Sequence, residues 1–199
     1  MTGTPMLSVR PLCAGEFPSV YRRVARDFPP IEYPPPQKMR RHLLTGAVSC
    51  HLCAWGGREA AYAFLLRASS TQSLLLLLYG VEPEMRGLGV GSAYLRELLQ
   101  RSRNASGLYA EVEKVSLAAD PDERVVRQRR IAFYARLGFV CIPGLSYTIY
   151  GVEMHLFYRP LRDPRLPSAA DAAKALHALY DNLLSPQERR HLVTRPLRN

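Results

Sequence analysis

The sequence has no apolar run long enough to cross a bilayer. A membrane-spanning helix needs about 20 consecutive apolar residues, whereas runs such as Leu74–Tyr79 are short and bounded by polar or small residues. No basic start followed by an apolar stretch marks the N-terminus for export. We therefore expect a soluble, cytoplasmic protein without a membrane partner.

Cysteine is scarce, with four in 199 residues. Cys50 and Cys53 form a Cys-x-x-Cys pair, but neither Cys13 nor Cys141 brings the second pair that a structural zinc site needs. Positions 50 and 53 also lie in a predicted strand, where they point to opposite faces. We interpret the cysteines as buried free thiols, as in a reducing compartment, and expect no metal.

Lysine is rarer still, since three lysines stand beside 24 arginines in a chain with a net charge of +10. Arginine forms forked contacts with phosphate and carboxylate groups, so a phosphorylated partner is plausible. Nucleic acid, an anionic membrane and a phosphate-bearing cofactor all fit this charge. Nucleic acid is disfavoured, however, because the sequence has no compact basic block with interleaved aromatic residues.

Apolar periodicity predicts an alternation of strands and helices. The predicted helices are Glu16–Phe28, Gln37–Leu44, one after Ser92, Arg124–Leu137 and Ala169–Leu184. The predicted strands are Met6–Val9, Ala47–Trp55, Ala60–Ala68, Leu74–Val81 and Gly107–Val115. Gly56 and Gly57 indicate a hairpin turn, and the proline-rich stretch 29–36 predicts a stiff loop between the first two helices.

The character of the chain changes after Pro160. An arginine- and proline-rich connector leads to an amphipathic helix with Ser168 as its N-cap, and Ser185 begins a short last helix. We predict a main domain over residues 1–160. The extension over residues 161–199 is predicted to pack on that domain, because so few residues cannot bury a core alone. Dimerisation through the amphipathic helix is the alternative, so a homodimer is possible.

A glycine-rich loop separates a predicted strand from a predicted helix. Its residues are Arg86, Gly87, Leu88, Gly89, Val90, Gly91 and Ser92. Glycines allow the amide N–H groups to point into one concavity, and the helix start adds partial positive charge, so the loop suits a pyrophosphate. It lacks the endings of a P-loop and the GxGxxG spacing of dinucleotide folds. A purely structural glycine turn remains the alternative.

Two motifs resemble the GNAT superfamily of N-acetyltransferases. The first is Arg-x-x-Gly-x-Gly after an apolar strand, at Arg86–Gly91, and the second is Phe-Tyr-x-x-x-Gly-Phe, at Phe133–Phe139. The resemblance implies an α/β (α+β) fold with a mixed, mostly antiparallel central sheet flanked by helices, here with a C-terminal helical extension. It also implies acetyl-CoA as the acyl donor.

The resemblance implies roles for individual residues. The backbone amides of Arg86–Ser92 would hold the pyrophosphate of acetyl-CoA, and the strand residues Tyr79, Gly80 and Val81 would pair with its pantetheine arm. Tyr134 would be the general acid that protonates the leaving thiolate, a role open to a phenol with a pKa of about 10. The alternative is that Tyr134 only packs on the sheet.

One position departs from the family pattern. Many members have an asparagine seven residues before the tyrosine, where this chain has Arg127. Arg127 or Arg130 is expected to bind the CoA phosphates instead, with a different geometry.

The acceptor side offers three carboxylates that could bind the amine or act as general base. Glu111 and Glu113 point to one face of a predicted strand that runs beside the cofactor groove in this fold, and Glu32 lies in the loop between the first two helices. Each could instead pair with one of the many arginines. We expect Glu113→Gln to slow turnover strongly with little effect on acetyl-CoA binding.

The predicted function is N-acetyl transfer from acetyl-CoA to a primary amine by direct attack. The alternative is a non-catalytic, acyl-CoA-binding regulatory domain of the same fold. The sequence does not select an acceptor, because aminoglycosides, polyamines, amino acids and protein N-termini are all consistent with it.

Overall fold

The structure is a computed structural model that describes residues 6–196. These residues form a mixed α/β fold with nine strands and five α-helices, in which the strands pair mostly antiparallel. The described chain divides into two compact units, residues 6–66 with 76–101, and residues 67–75 with 102–196. Between residues 6 and 196, every helix is too short or too polar to traverse a bilayer.

The first unit contains four strands in the order β1-β2-β3-β4. They are β1 (Leu7–Pro11), β2 (Val48–Trp55), β3 (Arg58–Leu66) and β4 (Leu74–Val81), the last belonging to this unit from residue 76 onward. The predicted hairpin is confirmed, because β2 and β3 pair antiparallel and Trp55 lies opposite Arg58. Gly56 and Gly57 make the turn with φ of 59° and 79°, which only glycine adopts without strain.

Three helices complete the first unit: α1 (Phe17–Asp27), α2 (Pro36–Thr45) and α3 (Val90–Arg101). Helix α2 packs on β2, and α3 packs on β1 and β3. Proline is tolerated at the first position of a helix, where its missing N–H has no partner to lose, and α2 begins at such a proline. The connection from α1 to α2 contains a single 3-10 turn, Pro30–Glu32.

The second unit contains the remaining strands in the order β5-β8-β7-β9, with β6 also paired to β8. They are β5 (Gly107–Glu113), β6 (Val140–Cys141), β7 (Leu145–Ile149), β8 (Val152–Pro160) and β9 (Leu192–Pro196). Helix α4 (Pro121–Arg136) packs on β5, and α5 (Ala169–Asp181) packs on β7 and β9. The predicted N-cap of α5 is confirmed, because the Ser168 side chain accepts from the Asp171 N–H.

The end of the chain differs from the sequence expectation. Ser185 and Glu188 form reciprocal capping bonds, but only a 3-10 turn, Glu188–His191, follows. The chain then enters β9, which pairs antiparallel with β7 over the whole length of both strands. Strand pairing satisfies the backbone groups here, and it depends on a partner that is distant in sequence.

The cysteine prediction is confirmed at two positions. Cys50 and Cys53 are buried free thiols in β2. Cys141 is half-buried and Cys13 is exposed, so the expectation of burial was wrong for Cys13. It precedes the first turn after β1, where its N–H donates to the carboxylate of Glu16.

Candidate active site

The glycine-rich loop lies in the first unit, between two buried side chains. Met85 precedes the loop and Val90 begins α3, and both pack with Ala60 of β3 in one apolar cluster. The residues between them, 86–89, are exposed to solvent. Burial of an apolar side chain contributes roughly 1.5–3 kcal/mol, so the loop is anchored at both ends while its backbone faces water.

Two glycines set the shape of this loop. Gly87 and Gly89 have φ of 79° and 80°, in the left-handed region that costs residues with a side chain about 1–2 kcal/mol. No heavy atom lies within 4 Å of the place that a Cβ would take at either glycine, so this side of the loop is open. The first N–H groups of α3 have no intrahelical acceptor and lie at the positive end of the helix dipole. The loop therefore fits a pyrophosphate.

The Arg86 side chain is bound to groups of its own unit. Its Nε donates to the Val81 carbonyl at 2.9 Å, and its Nη2 lies 3.4 Å from Oδ1 of Asp27. The Asp27 carboxylate also accepts from Arg26 and from the Tyr62 hydroxyl. Burial opposes ionisation of Asp27, but the bonds from Arg26 and Tyr62 outweigh it and lower its pKa. Arg86 thus ties the loop to α1.

The strand before the loop carries two of the predicted pantetheine contacts. The Tyr79 hydroxyl donates to the Gly91 carbonyl at 2.6 Å, and the Tyr79 ring stacks on that of Tyr94 with 5.5 Å between centroids. Gly80 faces Tyr62, and a Cβ there would lie 2.4 Å from the Tyr62 ring. Tyr79 therefore joins β4 to the first turn of α3, and Gly80 is required by packing. Their contact with a cofactor stays a prediction.

In the second unit, the end of α4 fixes the position of Tyr134. Gly138 has φ of 78°, its N–H donates to the Ala135 carbonyl at 2.9 Å, and the Phe139 N–H donates to the Tyr134 carbonyl at 3.1 Å. These are the two bonds of a Schellman motif. The Phe-Tyr-x-x-x-Gly-Phe element is thus a helix with a glycine cap.

The Tyr134 side chain is buried among aromatic rings. These rings belong to Phe133, Phe139 and Phe157. Burial raises the pKa of Tyr134 to about 12, with Arg130 opposing the shift and Glu111 adding to it. The hydroxyl therefore keeps its proton at neutral pH and can donate it in a hydrogen bond. A role as general acid stays a prediction.

Glu111 of β5 accepts hydrogen bonds from two tyrosine hydroxyls of the same unit. Tyr147 of β7 donates to Oε1 at 2.5 Å, and the hydroxyl of Tyr180 in α5 lies 2.8 Å from Oε1 and 2.9 Å from Oε2. Burial and the carboxylate charge raise the pKa of both tyrosines, so both remain donors. These two tyrosines were not identified from the sequence. A signal was present for Tyr180, because it lies on the apolar face of α5 and a buried hydroxyl needs a hydrogen-bond partner.

Glu113 lies two residues further along β5 and is bound by arginines of α4. Arg130 donates to its Oε2 at 2.6 Å, and Nη2 of Arg127 lies 3.4 Å from its Oε1. The Glu113 side chain is 20% exposed. Glu113 is thus bound by one hydrogen bond and one further ion pair from α4.

Arg127 is itself a buried part of this arrangement, with 9% of its side chain exposed. Its Nη1 donates to the Lys114 carbonyl at 2.6 Å, and its Nη2 donates to Glu123 at 2.7 Å. Arg130 is more accessible, with 45% of its side chain exposed. Binding of CoA phosphates by either arginine stays a prediction, and the contacts make Arg130 the more available of the two.

The third candidate carboxylate, Glu32, belongs to the first unit. It ends the 3-10 turn between α1 and α2, its side chain is exposed, and its N–H donates to the Pro29 carbonyl at 3.0 Å. The structure thus places Glu111, Glu113 and Tyr134 in the second unit, and the glycine-rich loop and Glu32 in the first.

Comparison with known proteins finds a matching family model and similar solved structures. Residues 47–141 match the family model described as Acetyltransferase (GNAT) domain. A putative GNAT-family acetyltransferase from Bacteroides thetaiotaomicron is similar in structure, with a TM-score of 0.68 and 18% identity over 87% of this chain and 96% of that chain. No curated protein matches the chain in sequence at a significant level.

Two further solved structures are similar. The ribosomal-protein-S18-alanine N-acetyltransferase from Escherichia coli has a TM-score of 0.60 and 18% identity over 79% of this chain and 96% of that chain. Arabidopsis thaliana NAA60, solved with acetyl-CoA, has a TM-score of 0.59 and 15% identity over 78% of this chain and 99% of that chain. Together, the match over residues 47–141 and these solved structures show that the chain has the fold of GNAT acetyltransferases.

Proposed function

We propose that the protein is an N-acetyltransferase that moves an acetyl group from acetyl-CoA to a primary amine by direct attack. The observation that carries this proposal is the exposed loop with Gly87 and Gly89, which is anchored at both ends and open where side chains would otherwise stand. The E. coli and Arabidopsis structures support it, since the first is named an N-acetyltransferase and the second holds acetyl-CoA.

In this proposal the amides of the glycine-rich loop bind the pyrophosphate. Bound acetyl-CoA supplies an acetyl group activated as a thioester. The Arg86 side chain is bound to Asp27 and Val81, and its N–H donates to the Pro83 carbonyl at 3.2 Å. Arg86 therefore orients the loop, and the amides that follow it, from Gly87 to Ser92, are the groups we propose for the ligand.

Tyr134 holds the proton that the departing sulfur needs. With a pKa of about 12, its hydroxyl remains protonated across the neutral range. An ordinary thiol has a pKa of about 8.5, so complete proton transfer from this phenol to a thiolate is uphill. The contribution we propose is therefore a hydrogen bond that stabilises charge as it develops on sulfur.

Among the three carboxylates, the contacts favour Glu111 as the group that binds the amine or receives its proton. Glu113 is bound by two arginines, whose positive charges repel a cationic amine. Glu111 accepts hydrogen bonds from the neutral hydroxyls of Tyr147 and Tyr180, which orient its carboxylate. An attacking amine must be neutral, so a carboxylate beside it has a direct use.

The test is thiol release from acetyl-CoA in the presence of an amine panel: a polyamine, an aminoglycoside, an amino acid and a peptide with a free N-terminus. We expect amine-dependent release by the wild-type protein. Tyr134→Phe should lower kcat about 100-fold, as for the loss of one hydrogen-bond donor to developing charge, while the Kd for acetyl-CoA is unchanged.

Tyr158→Phe is the matched control, because Tyr158 is a buried tyrosine of the same unit that lies outside the proposed machinery. It should retain wild-type kcat. Tight acetyl-CoA binding without turnover for any amine would instead support the non-catalytic alternative. Absence of acetyl-CoA binding would contradict the proposed function altogether.

A further inference from the structure

The two hydroxyls bound to Glu111 come from outside the matched GNAT domain. That domain ends at residue 141, whereas Tyr147 lies in β7 and Tyr180 in α5. We infer that Tyr147 and Tyr180 are positioning residues that hold the Glu111 carboxylate in one orientation for acetyl transfer, so that α5 is part of the catalytic machinery. This inference rests on the proposed function.

We call the two hydroxyls of Tyr147 and Tyr180 that bind Glu111 the clamp, and the two bind the carboxylate differently. Tyr147 binds one oxygen of Glu111 at 2.5 Å, and the Tyr180 hydroxyl lies nearly equidistant from both oxygens, at 2.8 and 2.9 Å. A donor between the two oxygens restrains the plane of the carboxylate, and a donor on one oxygen prevents its rotation. Hydrogen bonds from a hydroxyl to an ionised acceptor are roughly twice as strong as neutral ones.

Burial makes the clamp rigid. Tyr147 is 0% exposed and Tyr180 is 3% exposed, so their rings have one packed position each. The elements that carry them are joined through β9, which pairs with β7 along its length and contacts α5. His177 of α5 adds a 2.9 Å contact to Thr194 of β9. The two hydroxyls therefore keep a fixed separation.

Glu111 keeps partial access to solvent while the two hydroxyls bind it. The charge of Glu111 is also felt by the Tyr134 hydroxyl, whose pKa it raises. Glu111 is only half-buried. Its side chain can thus meet an amine or a water molecule while the two hydroxyls set its orientation.

A double-mutant cycle tests the clamp in the full-length protein. Tyr180→Phe keeps the ring and removes the hydroxyl, and we expect kcat to fall about tenfold, as for the loss of one hydrogen bond to a charged group. The Kd for acetyl-CoA should stay unchanged. In a Glu111→Gln background, Tyr180→Phe should cause no further loss of kcat, because the group that it positions is already gone.

Tyr147→Phe provides a second, independent arm of the cycle, and Tyr158→Phe serves as the control that removes a buried hydroxyl away from Glu111. An equal fall in kcat from Tyr180→Phe in both backgrounds would overturn the inference, as would wild-type kcat in Tyr180→Phe and Tyr147→Phe. If Glu111→Gln retains wild-type kcat while Tyr134→Phe does not, the clamp is wrong and acetyl transfer stands. If the wild-type protein binds no acetyl-CoA, the proposed function fails as well.

Discussion

A single carboxylate, Asp27, links α1 to the glycine-rich loop. Its side chain is 8% exposed and accepts hydrogen bonds from Arg26, Tyr62 and Arg86. We expect Asp27→Asn to lower the free energy of unfolding at pH 7 by about 2 kcal/mol, since hydrogen bonds to a charged group contribute about 1.5–3 kcal/mol. Denaturant unfolding measures this difference.

The same substitution carries a pH signature. The pKa of Asp27 is lowered in the folded protein, so its ionised form contributes stability above the unfolded-state pKa of 3.8, and that contribution is lost as the pH falls through the lower, folded-state value. The difference in unfolding free energy between wild type and Asp27→Asn should therefore shrink between pH 4 and pH 2. A difference that stays constant over this range would contradict the assignment.

Glu111 and Glu113 make a second residue-level comparison. Glu111→Gln should lower kcat about 100-fold if it binds or deprotonates the amine. Glu113→Gln should lower kcat less than tenfold, because its two arginines give it a structural role, and it should lower the unfolding temperature more. Steady-state kinetics and thermal unfolding of both variants separate the two roles. A larger loss of kcat in Glu113→Gln than in Glu111→Gln would instead support the sequence-based expectation that Glu113 is needed for turnover.

The sequence identified residues whose role is local and missed those whose role depends on distant partners. Gly87, Gly89 and Gly138 belong to short motifs with fixed spacing, and all three have the left-handed backbone that those motifs require. Tyr147 and Tyr180 meet Glu111 across 36 and 69 residues. Such a meeting depends on tertiary packing, which no local pattern encodes.

At the scale of elements, the glycine cap of α4 is open to a direct test. Gly138 has φ of 78°, and a Cβ there would lie 2.8 Å from Nη1 of Arg159. Gly144 has φ of 70° and no atom within 4 Å of the same position. We expect Gly144→Ala and Gly138→Ala each to cost about 1–2 kcal/mol of stability from backbone strain, because the guanidinium end of the Arg159 side chain can move away from the new methyl group.

Activity separates these two glycines. The Gly138 cap sets the last turn of α4, on which Tyr134 stands, so Gly138→Ala should also lower kcat. Gly144→Ala should change only the unfolding free energy. Equal effects of the two substitutions on kcat would show that the cap does not position Tyr134.

The five helices and the strands up to β5 were predictable from the sequence, whereas the bounds of the four later strands, β6 to β9, were not. Periodicity identified the helices and the strands through β5 because a buried face repeats at a fixed interval. The last strand, β9, was missed because Ser185 and Glu188 form the capping contacts of a helix start. Its structure is set by the unpaired edge of β7, which lies more than 40 residues earlier.

At the scale of the whole molecule, the reactivity of the cysteine thiols shows whether the protein is folded. Burial raises the pKa of Cys53 to about 11 and that of Cys50 further, and reactivity needs the thiolate. A thiol reagent at pH 8 should modify exposed Cys13 rapidly, and Cys50 and Cys53 only as the protein unfolds. Replacing both Cys13 and the half-buried Cys141 with serine should abolish the fast phase. A fast phase that persists in this variant would contradict the burial of the pair in β2.

The ion pairs show what many of the arginines behind the net charge of +10 do in the structure. Many arginines are bound to carboxylates of their own unit, among them Arg10, Arg23, Arg26, Arg86, Arg127 and Arg130. Planar guanidinium groups can bind two partners at once, as Arg127 does with Lys114 and Glu123. Arginine therefore serves here to join helices, strands and loops, a use that lysine would perform less well.

The two tyrosines that bind Glu111 lie outside the part of the chain that matches the family model. The site that we propose is therefore larger than the segment that a sequence comparison recognises. A recombination event that transferred only residues 47–141, the part that matches the family, would carry the glycine-rich loop, Tyr134 and Glu111, but neither Tyr147 nor Tyr180. The recipient would gain the visible signature without the groups that orient its carboxylate. Under the proposed function, selection should therefore act on α5 and β7 as strongly as on the motifs.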